Sequence, residues 1–281
     1  MKILITGSNG MLGQDLITEL ADKHIVIAAS SKILDITDKN KVLDYVKAIK
    51  PDIIINAAAY TDVDGCETNI EKAYAVNGEG VRNLSLACKE NDIPLIHIST
   101  DYVFKGDSDT PRLETDELGP LSVYGKSKLE GEKAITEILD KYFILRTAWL
   151  YGYNGGNFPK TMLELAKNHD KLTVVYDEVG TPTYTPDLAK AIGELLDSDK
   201  YGIYHLTNSD YTSWYDFAKL IFEIAGMDVE VEPVTASEFA RAASRPNYSV
   251  LSNEKWINSG FTPLRSYKEA IKDYIGLLKE I

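Results

Sequence analysis

Tyr124 and Lys128 stand four residues apart in Tyr124-Gly125-Lys126-Ser127-Lys128, the spacing that puts two side chains one turn apart on a helix face. An ammonium so placed can lower a phenol from its ordinary pKa of about 10 toward a value useful for proton transfer. A tuned phenol protonates a carbonyl oxygen as hydride arrives at the carbon. Upstream, Ser99-Thr100-Asp101-Tyr102-Val103-Phe104 closes an apolar run with hydroxyls, and Thr100 is expected to orient the same oxygen and share its proton. The Tyr-x-x-x-Lys spacing recurs at Tyr215 and Lys219. No Ser/Thr-bearing strand end precedes that second pair, which reads as packing plus a solvated lysine.

Such groups need elements to hold them. Lys2 to Thr6 reads as a strand, followed by Gly7-Ser8-Asn9-Gly10-Met11-Leu12-Gly13 and the amphipathic stretch Gln14 to Ala21. This is a dinucleotide fingerprint in its proper context. Gly7 ends the strand, Gly10 admits a pyrophosphate, Gly13 allows close helix packing, and the helix N-terminus offers free N–H groups, with Asn9, Met11 and Leu12 alongside. Spacing of the G-x-x-G-x-x-G kind favours the short-chain dehydrogenase/reductase type. Further strands are predicted at Ile25 to Ala29, Asp52 to Asn56, Pro94 to Ser99 and Tyr142 to Thr147, with helices at about Asp38 to Ile49, Glu71 to Glu90 and Tyr124 to Leu139. Alternation of this sort builds an α/β fold, a doubly wound parallel Rossmann sheet with ligands at the carboxyl ends of its strands. Residues 1–150 are expected to form the NAD(P)-binding domain. Residues 151–281 read mainly as a smaller substrate-binding lobe, with short strands at Leu172 to Tyr176 and Gly202 to Leu206, helices near Trp214 to Ala225 and Tyr267 to Leu278, and some segments returning to the first sheet.

Composition narrows the partners. The 281 residues are 44% hydrophobic and carry a net charge of −13, which argues against nucleic acid and anionic membrane surfaces. The fingerprint starts at once and no apolar run is long enough to span a bilayer, so the cytoplasm is the expected compartment. Cys66, Cys88 and the scattered histidines suggest neither a disulfide framework nor a zinc site. His97, inside Leu95-Ile96-His97-Ile98, reads as a hydrogen-bonded core histidine rather than a ligand.

The other strand ends bear on the cofactor. An acidic residue usually follows the second strand of an NAD-dependent enzyme, whereas this chain has Ser30-Ser31-Lys32. Two hydroxyls and an ammonium suit a 2′-phosphate, so NADP(H) is preferred and NAD(H) left open, beside the simpler reading of a solvated polar turn. Asp35 could meet the adenine amino group while Ile36 covers the ring. Ala57-Ala58-Ala59-Tyr60 would let the backbone lie flat against the cofactor, or else is merely a closely packed strand end.

These segments, with Arg146-Thr147-Ala148-Trp149-Leu150-Tyr151-Gly152 and Asn157-Phe158-Pro159-Lys160-Thr161-Met162, resemble the dTDP-4-dehydrorhamnose reductases, extended short-chain reductases, over nearly the whole chain. The resemblance implies NADPH- or NADH-dependent reduction of the 4-keto group of dTDP-4-dehydro-β-L-rhamnose. It implies Tyr124 as proton donor, Lys128 as its tuner and ribose anchor, Thr100 and Asp101 against the sugar, and Trp149 lining the sugar pocket. Related dehydratases carry a glutamate where Tyr102 stands, and without that base elimination of water is poorly served. Arginine suits a pyrophosphate, and of Arg241 and Arg245 the Arg-Pro pair favours Arg245. Some members hold Mg²⁺ between acidic residues at a dimer interface. Asp15 stands where one such acid would lie, but Asp187 departs from the pattern, so no obligatory metal is expected; a homodimer stays open. The regulatory β subunit of methionine adenosyltransferase resembles the same family, leaving a non-catalytic NADP-binding role as one alternative. Another 4-keto-6-deoxy sugar nucleotide as substrate is a second.

Overall fold

The computed structural model describes residues 1–239 and 241–279. Six parallel strands form its main sheet: β1 Lys2–Thr6, β2 Ile25–Ala29, β3 Ile53–Asn56, β4 Leu95–Thr100, β5 Tyr142–Thr147 and, from the C-terminal half, Gly202–His205, in the order Gly202–His205, β5, β4, β3, β1, β2. The chain runs from β1 outward to β2 and then crosses to β3 on the other side of β1. A crevice opens where the order reverses, at the carboxyl ends of β1 and β3.

Local chemistry explains the elements that frame that crevice. β4 is buried along its whole length, as a central parallel strand covered on both faces must be. Helix α1, Met11–Leu20, starts directly from the glycine turn. Helix α2, Lys39–Ile49, is capped by Asp38, whose carboxylate accepts from the Lys41 N–H. The stretch expected as one helix from Glu71 to Glu90 is instead interrupted: after a short α3, Val63–Thr68, come α4, Ile70–Tyr74, a π turn at Ala75–Glu79, and α5, Gly80–Asn91. Helix α6, Val123–Ile138, begins at Ser122, which accepts from the Gly125 N–H.

Beyond β5 the elements shorten. Two-residue strands β6, Leu150–Tyr151, β8, Val179–Gly180, β9, Thr183–Tyr184, and β11, Thr212–Ser213, pair in twos, and β7, Lys171–Val175, pairs with β12, Glu230–Val234. Gly202–His205 is thus β10 in chain order. Helices α7, Phe158–Leu165, α9, Trp214–Ala225, and α11, Tyr267–Lys279, surround a separate apolar cluster that includes Tyr151, Phe217, Ile221 and Tyr274. Helix α8, Thr185–Glu194, turns back, and its Leu188 and Ile192 join Leu12 and Leu16 of α1 in the core beneath the main sheet; a short α10, Glu254–Asn258, adds Trp256 to the same core. None of the described helices is long and apolar enough to cross a membrane.

Candidate functional site

At the crevice the chain turns at Gly7 with φ +69°, a conformation that only glycine takes without strain. A Cβ there would strike the backbone of Ala57 and Ala58, and one on Gly13 would strike the Gly7 carbonyl oxygen. The turn is therefore tight on both sides, with the start of α1 facing outward. It borders two adjoining cavities of about 300 and 420 Å³, which share Gly10, Ala57 and Ala59 in their walls.

The smaller cavity gathers the expected nucleotide segments. Gly7, Asn9, Ser30, Ser31, Asp35, Ile36 and Ala57 to Tyr60 all line it. Lys32 does not reach the wall. The N–H groups of Ile33 and Leu34 both donate to the Ser30 carbonyl, at 2.9 Å each, and Lys32 lies exposed within this turn. The cation that does line the cavity is Lys72, with Nζ 4.5 Å from the centre of the Tyr60 ring. Tyr60 is held in turn by Asn77, which accepts from its N–H at 2.8 Å and donates to its carbonyl at 3.1 Å. Asn77 lies in the π turn. The extra residue in such a turn redirects side chains, and a helical reading of the sequence could not have found it.

The larger cavity brings together Met11, Leu12, Gly13, Thr100, Asp101, Tyr102, Tyr124, Lys128 and Trp149. Thr100 Oγ1 donates to Asp101 Oδ1 at 2.9 Å, while Asp101 Oδ2 is buried with no hydrogen-bond partner among the described residues. Burial raises the Asp101 carboxyl to about 6, against hydrogen bonds that lower it. Tyr102 stands edge-on to Tyr124, ring centres 5.5 Å apart. Burial pushes the Tyr124 phenol upward, and the hydrogen bond with Thr100 is what opposes the rise. The tuning expected from Lys128 is thus not what this geometry delivers. Its Nζ is drawn toward β4, donating to the Ile98 carbonyl at 2.6 Å and lying 3.4 Å from His97 Nε2. Burial brings Lys128 itself down to about 8, with the Glu132 carboxylate pulling the other way.

Trp149 closes the cavity in an unusual conformation. Its φ of +48° is an outlier for a bulky residue and marks local strain. The indole lies flat on Trp214, centres 3.4 Å apart and planes 6° from parallel. Trp214 also lines the cavity; sequence reasoning missed it because a stack between distant segments has no local signature. Thr147 was missed as well, although its place at the end of β5 follows the same strand-end rule that found Thr100. Arg245 does not line either cavity. Its guanidinium is paired with Asp64, at 2.9 Å, and it borders a neighbouring hollow of about 230 Å³ with Arg241 and Trp214. A roomier hollow of about 750 Å³ between α7, α9 and α11 holds none of the expected site residues.

Below the cavity floor, Arg146 of β5 forms a buried ion pair with Glu132 of α6 at 2.7 Å, and Ser99 donates to the same carboxylate at 2.5 Å. This pins α6 against β4 and β5. Removing either partner would leave an uncompensated buried charge.

A parallel sheet with a glycine turn at its switch point, and threonine, tyrosine and lysine converging on the next strand end, defines the extended short-chain dehydrogenase/reductase class. Known proteins agree with that class. The family described as RmlD substrate binding domain matches residues 1–279. The dTDP-4-dehydrorhamnose reductase of Mycolicibacterium smegmatis (strain ATCC 700084 / mc(2)155) is 43% identical over 279 residues, covering 98% of this chain and 85% of that protein. Among solved structures, the Clostridium acetobutylicum dTDP-4-dehydrorhamnose reductase superposes with a TM-score of 0.97 at 46% identity, covering 99% and 100% of the two chains. That of Bacillus anthracis, solved in complex with NADP, gives 0.95 at 42% identity and covers 97% and 98%. The chain belongs to the RmlD family and is an oxidoreductase of the extended short-chain type.

Proposed function

We propose that the protein reduces the 4-keto group of dTDP-4-dehydro-β-L-rhamnose to give dTDP-L-rhamnose, with NADPH as the preferred donor. The observation that carries the reading is the convergence of Thr100, Tyr124 and Lys128 on a cavity that shares walls with the one under the glycine turn. The cradle fits a dinucleotide: the backbone at Gly7 and Gly13 leaves no room for side chains, and N–H groups at the start of α1 suit a pyrophosphate. NADPH bound along this turn would supply the hydride. The NADP complex of the Bacillus anthracis relative supports that choice of donor.

In this reading the chain's own part is proton handling and placement. Tyr124, whose burial keeps the phenol protonated through the neutral range, gives its proton to the sugar O4. Thr100 orients that oxygen. Lys128 then returns a proton toward the tyrosine, a task for which a group near 8 is suited. Asp101 and Trp149 meet the sugar, and Tyr102, where a dehydratase would need a carboxylate, leaves reduction as the supported chemistry. Arg245 reaches the diphosphate only by exchanging Asp64 for it. Residues 151–281 serve mainly as the substrate-binding lobe. We assign no obligatory metal; a homodimer fits the same reading.

Mixing the protein with NADPH and dTDP-4-dehydrorhamnose is the direct test. Oxidation of NADPH that is lost in Tyr124→Phe supports the proposal. Silence with the keto sugar, combined with co-purification of a larger catalytic subunit, would replace it by a binding role.

A further inference from the structure

One buried titratable group beneath the site has no part in the chemistry so far. His97 lies in the middle of β4 with no exposed surface, between Asn56 of β3 and Lys128 of α6. Its ring Nδ1 is 2.9 Å from Asn56 Nδ2 and its Nε2 is 3.4 Å from Lys128 Nζ.

The direction of these contacts can be worked out from donors alone. Asn56 Oδ1 accepts from the Ala58 N–H at 3.1 Å and from Thr6 Oγ1 at 2.6 Å. A backbone N–H only donates, so the amide cannot be turned round, and its NH₂ must face the ring. An amide NH₂ also only donates. His97 Nδ1 is therefore the bare, accepting nitrogen, and the single proton of the neutral ring sits on Nε2. Burial, and then the nearby Lys128, disfavour the doubly protonated ring.

We infer that His97 is a positioning residue acting through Lys128: locked by Thr6 and Asn56 with Nε2–H toward Nζ, it hydrogen-bonds the free amine and opposes the ammonium. This rests on the reading of Lys128 as the proton source for Tyr124, and adds what sets the hold of Lys128 on its proton. Ammonium and phenolate become amine and phenol when that proton moves, and the amine left behind is the form that His97 matches.

The remaining neighbours of Lys128 divide between the two forms. Glu132, one turn on along α6, favours the ammonium, but its carboxylate is shared with Arg146 of β5 and Ser99 of β4. Tyr124, one turn earlier, is neutral, whereas Asp101 beyond β4, with its carboxyl near 6, is mostly ionised at pH 7 and its charge favours the ammonium. The Ile98 carbonyl accepts from either form. Facing groups from β1 and β3, Thr6 and Asn56, carry no charge. Burial is the larger influence on Lys128; among the side chains around its Nζ, His97 with Nε2–H turned toward it is the one that favours the amine.

The test reads protons directly, without cofactor or sugar. Long-range ¹H–¹⁵N spectra of protein labelled with [¹⁵N]histidine show which ring nitrogen carries hydrogen. Spectra of [¹³C]lysine-labelled protein, assigned with Lys128→Met, give the Lys128 midpoint. The expected result is a neutral Nε2–H ring at His97 and a Lys128 midpoint near 8. In Asn56→Asp, one carboxylate oxygen still accepts from Thr6 and Ala58 while the other accepts from the ring. The tautomer reverses, Nε2 faces Nζ as an acceptor, and the Lys128 midpoint rises by about 1 pH unit or more. The new charge alone would raise it somewhat, so Asn56→Asp/His97→Phe is the control and should show a smaller rise. An equal rise in the control overturns the inference, as does a wild-type ring protonated on Nδ1, which needs no variant to fold. The expected spectra in a protein that turns over no keto sugar would remove only the functional reading.

Discussion

Two helices of this chain carry tyrosine and lysine four residues apart, and the structure puts them to different uses. On α6, Tyr124 and Lys128 point into a cavity beneath the strand ends, and Lys128 is 2% exposed with its amine bonded to β4. On α9, Lys219 is exposed and lies 5.1 Å over the ring of Tyr215, while Phe217, Ala218, Ile221 and Phe222 bury the other face against the lobe. Both helices even start from a serine cap, Ser122 and Ser213. Spacing places two side chains side by side; only the elements around them decide whether they are desolvated. The α6 pair stands where β4 and β5 end, so burial moves both of its groups away from their ordinary values, whereas the α9 pair caps a packing surface.

The largest expected effect separates the two tyrosines. Tyr124→Phe should lower kcat for the keto sugar by about 10²- to 10⁴-fold, the usual contribution of a placed proton donor. Tyr215→Phe, away from the cavity, should leave turnover within about twofold, as surface changes usually do. Steady-state rates of both variants decide this, and comparable losses would end the distinction. The lysines follow with a pH signature. Lys128 holds its proton below about 8, so reduction that draws on it should be full below that pH and decline as pH rises through it. Lys128→Met should cost roughly 100-fold in kcat and abolish that alkaline limb, while Lys219→Met keeps the wild-type profile.

The same contrast in carboxyls should appear as stability. Burial raises Asp101 from 3.8 to about 6, so the folded state holds its proton more tightly than the unfolded chain does. Stability from this group is present below the unfolded value and is lost as pH rises through the folded one. Asp101→Asn resembles the protonated carboxyl and cannot ionise. It should therefore be more stable than wild type at pH 7 by about 3 kcal/mol and converge with it near pH 4. On α9, Asp216 accepts from the Ser213 hydroxyl at the exposed helix start, and Asp216→Asn, which keeps an accepting oxygen there, should change stability little. Thermal denaturation of both variants at the two pH values tests the sign; a gain for Asp101→Asn that persists undiminished at pH 4 would contradict it.

What could be read from the sequence follows the same division. The strands β1 to β5, the glycine turn and the alternation of helices are local patterns, and the ends of the five strands fall within a residue of the segments expected from apolar runs. Thr100 was legible because strand ends in a doubly wound sheet converge, Tyr124 from its spacing to Lys128, and Asp101 and Tyr102 through the family resemblance; all four line one cavity. The rest depends on contacts between distant parts of the chain. Trp149 takes its left-handed backbone while stacked on Trp214, and Arg245 is diverted to Asp64 of α3. The two-residue strands β6, β8, β9 and β11 are too short to leave a period. Asn77 reaches Tyr60 only through a π turn inside a helical pattern. His97 was legible as a core histidine, but the donor chain that orients it spans β1, β3, β4 and α6.

The smallest expected effect carries the comparison to the cofactor's far end, where two lysines again share a type and differ in place. Lys32 adjoins Ser30 and Ser31 in sequence, yet it lies exposed in the turn closed on the Ser30 carbonyl and does not line the cavity. Lys72, distant in sequence, lines the cavity with those serines. A partly screened ion contact contributes about 0.2–1 kcal/mol, so Lys72→Gln should weaken NADPH binding by about two- to fivefold, and less as salt rises. Lys32→Gln should change it by under about twofold. Titration of each variant with NADPH and NADH distinguishes the lysines and locates the charge that is read: a loss confined to NADPH points to the 2′-phosphate, and an equal loss for both points to the pyrophosphate they share. A larger NADPH-specific loss in Lys32→Gln would mean that the Ser30 turn reopens around the cofactor, so that sequence adjacency, not the wall of the cavity, names the cation.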